Sequence, residues 1–83
     1  MTLIYVLVPY RHADKETRRA FKRAGRMLGV WDGDAPSRWR CERCDATIET
    51  SELTLDYRTR PGLPVCPTMH CPGAGWEDIR PAA

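Results

Sequence analysis

Four cysteines stand in two close pairs, Cys41-x2-Cys44 and Cys66-x4-Cys71, with 21 residues between the pairs in a chain of 83. A chain this short has difficulty burying enough apolar surface to offset its conformational entropy, so a covalent or metal cross-link is expected. No basic residue precedes the short apolar stretch near the start, and no small-residue cleavage site follows it, so the expectation is a cytoplasmic protein. Paired cysteines in that setting hold metal more often than they form disulfides. Two cysteine turns joined by a hairpin-length spacer suit a tetrahedral divalent ion, since each turn presents two thiolates and the hairpin brings the turns together. Cys41, Cys44, Cys66 and Cys71 are therefore the expected ligands of one structural Zn2+.

Three rivals compete for the same residues. His70 could replace Cys71, because Cys66-x3-His70 is an acceptable spacing, but four thiolates are the simpler solution. The four sulfurs could hold iron and carry one electron, as rubredoxin does, although the four residues inside the second pair depart from the close two-residue turn. A thioredoxin-like role for Cys41-Glu-Arg-Cys44 would need that motif to open a helix, whereas the following residues, 45–50, lean toward extended structure. Hydrolytic zinc chemistry needs an open coordination position and a base; four cysteine ligands leave neither, so no enzyme and no small-molecule substrate are expected.

The pattern over 39–80 resembles the zinc ribbons, small β modules in which two cysteine knuckles clamp one zinc ion. That resemblance implies metal and architecture, not an activity. It departs from the family at Asp45, which stands where a glycine usually follows the first knuckle, and in the longer second knuckle. Cys66, Pro67, Cys71, Gly73 and Gly75 also resemble part of the Cys-Cys-His-Cys finger of myelin-transcription-factor proteins, but Trp76 occupies its histidine position. Indole nitrogen only donates, so the resemblance implies a loop shape and not that finger's ligands or its DNA preference.

Charge divides the chain. Residues 11–31 hold seven basic and two acidic side chains, a balance of +5, while residues 32–83 hold six basic and nine acidic, a balance of −3. Four thiolates around a divalent cation would add about −2 to the second part. The cysteine module is thus a poor candidate for gripping a polyanion. Within 15–28, an amphipathic helix is expected: Asp14 can cap it, Gly29 can end it, and Thr17, Ala20, Phe21, Ala24, Met27, Leu28 and Trp31 recur on one side. Arg18, Arg19, Lys22, Arg23 and Arg26 occupy the other, and such a stripe could neutralise phosphates or meet an acidic protein surface. The plain alternative is a solvated face, or one paired with the acidic module.

The remaining elements are short. Residues 3–8 (LIYVLV) read as a strand buried on both faces, and Leu53, Leu55 and Tyr57 alternate with Thr54, Asp56 and Arg58 as in a half-buried strand. Trp39 and Trp76 are expected to pack across the cysteine hairpin, with Trp31 bridging to the helix, and His12 is expected to be capping or solvent-facing. No segment approaches the roughly 20 apolar residues needed to cross a bilayer. The expected fold is α+β: a zinc ribbon at 38–83 and, at 1–31, a strand and basic helix, the two forming one unit. The expected function is a non-catalytic regulatory module that contacts nucleic acid or its machinery through the helix, the alternative being an adaptor or inhibitor for an acidic protein.

Overall fold

The computed structural model describes residues 5–82. Its helix α1 spans Lys15–Met27, and Asp14 opens it by accepting the Thr17 N–H at 2.7 Å. Glu16 in the first turn suits the positive end of the helix dipole. Gly29 takes φ +75°, which a residue with a side chain rarely adopts, and the helix stops there. Thr17, Phe21 and Gly25 form the buried row. Met27 and Leu28, expected to extend it, are instead 80% and 59% exposed. The chain turns back at this point: the N–H groups of Val30 and Trp31 both donate to the Gly25 carbonyl, and Trp31 takes the space against the last turn.

Among the described residues, six short strands make two antiparallel sheets. One has the order β1-β4-β5, with β1 at Leu7–Pro9, β4 at Thr54–Asp56 and β5 at Leu63–Val65. The other has the order β3-β2-β6, with β2 at Arg38–Cys41, β3 at Thr47–Glu49 and β6 at Ile79–Pro81. One α-helix and two small antiparallel sheets among the described residues make the fold α+β. Residues 3 and 4 of the expected first strand lie outside the described residues. The rest is not buried on both faces: β1 lies at the sheet edge and Leu7 is 42% exposed. The central place goes to β4, which pairs with β1 on one side and with its hairpin partner β5 on the other. Among the described residues, no helix is long and apolar enough to cross a membrane.

Alternation over 53–58 also fails at two positions. Leu53 and Leu55 are buried as expected, but Asp56, expected on the outward side, is buried and Tyr57 is exposed. The Asp56 carboxylate accepts the N–H groups of Arg58, Thr59 and Arg60 at 2.9, 3.1 and 3.0 Å, so it closes the turn that leads to β5. Burial raises its pKa, but these bonds, with one from the Val6 N–H, outweigh burial and hold it below the usual carboxylate value. The same turn presses on α1 at Gly62. A β-carbon there would lie 2.4 Å from the Phe21 backbone nitrogen, so only glycine permits the approach.

Phe21 is the centre of the core. Its ring stacks on Trp76 at 5.2 Å and 12°, and meets Trp31, Trp39 and Tyr10 at centroid distances of 5.4, 5.3 and 6.0 Å. Trp39 and Trp76 do pack together, at 5.9 Å, and Trp31 joins Phe21 of the helix to Trp39 of β2. Such aromatic pairs add about 0.5–1.5 kcal/mol each beyond the area they bury. Cys41 lies in the same buried cluster as Phe21 and Trp39.

Candidate metal centre and basic helix face

The first cysteine turn follows β2. Cys41 shares the buried face of that strand with Trp39, two residues before it, while Cys44 is exposed beyond the turn. The Asp45 N–H donates to the Cys41 carbonyl at 2.8 Å, and Asp45 takes φ +60°. The departure from a glycine is thus accommodated in the conformation a glycine would supply, which Asp tolerates better than most residues. Its carboxylate also pairs with Arg40 at 2.6 Å.

The second turn follows β5. The Cys66 N–H donates to the Gly73 carbonyl and the Cys71 N–H to the Thr68 carbonyl, at 2.9 and 3.1 Å, which folds the longer loop back on itself. Gly73 then lies against the sulfurs: a β-carbon on it would meet Cys41 Sγ at 2.6 Å and Cys71 Sγ at 3.3 Å. His70, at φ +64°, is exposed and stands outside the sulfur group.

Cys41, Cys44, Cys66 and Cys71 place their sulfurs within 4.8 Å of one another, so together they could hold a metal ion. Cys41 to Cys71 and Cys44 to Cys66 are each 3.7 Å. Bonds of about 2.3 Å from one tetrahedral ion would separate its sulfurs by about 3.8 Å, so this arrangement fits the ion with little movement. A disulfide, by contrast, requires about 2.05 Å.

Backbone and hydroxyl groups surround the sulfurs. The Ala46 N–H and the Thr68 hydroxyl bring the Cys44 thiol down to about 7. Burial pushes the Cys66 thiol up. The Gly73 N–H, 3.4 Å from the Cys71 sulfur, opposes the same rise there, but burial and the sulfurs of Cys44, Cys41 and Cys66 push Cys71 up to about 12. A divalent cation is what would let all four sulfurs be thiolates at once. Asp78, which the sequence did not single out, braces the two turns: its carboxylate accepts the Ala74 N–H at 3.0 Å and the Arg43 side chain at 3.2 Å.

No family model matches this sequence, and neither the curated proteins nor the solved structures compared with it give a match.

The helix face is less uniform than its spacing implies. Arg19, Lys22, Arg23 and Arg26 are exposed. Arg18 is not part of that set, because its guanidinium turns back to donate to the carbonyls of Tyr10 and Arg11, at 3.1 and 3.0 Å, and lies 4.9 Å over the Tyr10 ring. Among the described residues, ion pairs form at Arg11, Arg38, Arg40 and Arg43, with Glu52, Glu49, Asp45 and Asp78. None forms on the helix face. His12 is exposed.

Proposed function

We propose that this chain is a non-catalytic module, built around one structural zinc ion, that contacts nucleic acid or its machinery through α1. The observation that supports the contact is four cations on one helix face, Arg19, Lys22, Arg23 and Arg26, none with a carboxylate partner among the described residues. Arg58, Arg60 and Arg80 are likewise unpaired, whereas Arg11, Arg38, Arg40 and Arg43 are paired. Arg19 with Arg23, and Lys22 with Arg26, are like charges one turn apart, and each such pair costs a helix a few tenths of a kcal/mol. A polyanion laid along the face offsets that repulsion and releases its counterions.

Zinc is the reading for the metal because four thiolates close a tetrahedral site with no open position, and a zinc ribbon is the architecture it would organise. Bound there, the ion would supply the cross-link that the small core lacks, and Gly73 and Asp78 would hold its ligands in place. Iron in the same sulfurs would give a coloured, redox-active protein. A reducing, cytoplasmic setting suits four free thiols.

The test is metal analysis of the purified protein with titrations of labelled DNA and RNA at two salt concentrations. One zinc per chain and binding with a log–log salt slope of about −3 to −4 are expected for four phosphate contacts. Changing Arg19, Lys22, Arg23 and Arg26 together to glutamine should abolish binding and retain the zinc. Absence of binding even at low salt would refute the nucleic-acid reading and favour an acidic protein surface.

A further inference from the structure

Where α1 ends, a groove of about 490 Å3 begins, with Leu28, Val30, Leu63 and Trp76 among its walls. Its size is that of a small-ligand site, and its lining is about equally apolar and polar. Trp76 is half-buried, with one face stacked on Phe21, and it also lines the groove. Arg60 and Arg80 line the groove, are exposed, and have no carboxylate partner among the described residues. Glu77 also lines it. We propose that this groove takes an unpaired base of a single-stranded nucleic acid, an inference that rests on α1 contacting nucleic acid.

The chemistry sorts the parts of such a ligand. Base faces stack on indole whatever their sequence, and each stacked base contributes substantially to affinity. The two guanidiniums suit the flanking phosphates, a local positive pair in a module that is acidic as a whole. Glu77 repels phosphate and accepts the exocyclic amine of adenine, cytosine or guanine, which thymine and uracil lack. Leu28 directly follows α1, so a strand lying along the cations of the helix can continue into the groove. A base stacked inside a duplex cannot enter it.

The experiment compares a mixed-sequence single strand, the matching duplex, an abasic strand and oligo-thymidine, all of equal length, on the zinc-loaded protein. The mixed strand should bind about 10-fold more tightly than the duplex or the abasic strand, with oligo-thymidine between them. Arg60→Gln with Arg80→Gln should lower mixed-strand affinity by a larger factor than duplex affinity. Equal affinity for single strand, abasic strand and duplex, or preference for the duplex, would overturn the groove as a base site and leave the helix reading intact. Failure of every nucleic acid to bind at low salt would overturn both.

Discussion

Gly73 and Cys41 approach so closely that a β-carbon on Gly73 would lie 2.6 Å from the Cys41 sulfur. Gly73 has no left-handed backbone angle, so the requirement for glycine here is space beside the sulfurs. Gly73→Ala should force Cys41 or Cys71 out of position and weaken metal binding about 10-fold or more, the range seen when groups supporting a metal's ligands are disturbed. Competition against a chromophoric chelator measures this, and unchanged affinity would show that the sulfurs can shift without loss.

Arg18 and its helix neighbours should separate by what they affect. Arg18→Gln removes two bonds to carbonyls and the contact over the Tyr10 ring, at a cost of about 1–2 kcal/mol in urea unfolding. Arg23→Gln should leave stability nearly unchanged and weaken nucleic-acid binding about severalfold, since it removes one phosphate contact. The reverse pattern would place the contact surface at the Tyr10 side of the helix.

Asp56→Ala leaves the N–H groups of Arg58, Thr59 and Arg60 without their acceptor and should cost about 2–4 kcal/mol at neutral pH. The folded carboxyl group titrates below its ordinary value of 3.8. Its contribution is therefore fully present above that value and is lost as pH falls through the lower folded pKa. The difference between wild type and Asp56→Asn should narrow in that acid range, where metal release is common to both chains and cancels. A difference independent of pH would assign the effect to shape and not to charge.

The helix and the cysteine turns were legible because their signals are local. Asp14, the row of Thr17 and Phe21, and Gly29 act within one or two turns of α1, and the spacing of each cysteine pair limits where its sulfurs can go. Asp56 was not legible: period-two alternation places it in solvent, and its burial depends on a chain reversal at Arg58 to Arg60 that brings backbone donors to it. Met27 and Leu28 failed for a similar reason, since Trp31 returns to cover Gly25 and supplies the apolar surface expected of them. Arg18 has the spacing of its neighbours, and only the placement of Tyr10 removes it from their face.

Phe21 joins the two halves of this behaviour. It projects from α1 onto Trp39, two residues from Cys41, and onto Trp76, three residues from Gly73. A cation that orders the cysteine turns therefore also orders the indoles on which the helix rests. Any ligand that prefers the docked helix must then tighten the grip on the cation by the same factor by which the cation tightens the grip on the ligand. If the helix is the proposed contact surface, removing the cation would weaken that contact by the same factor.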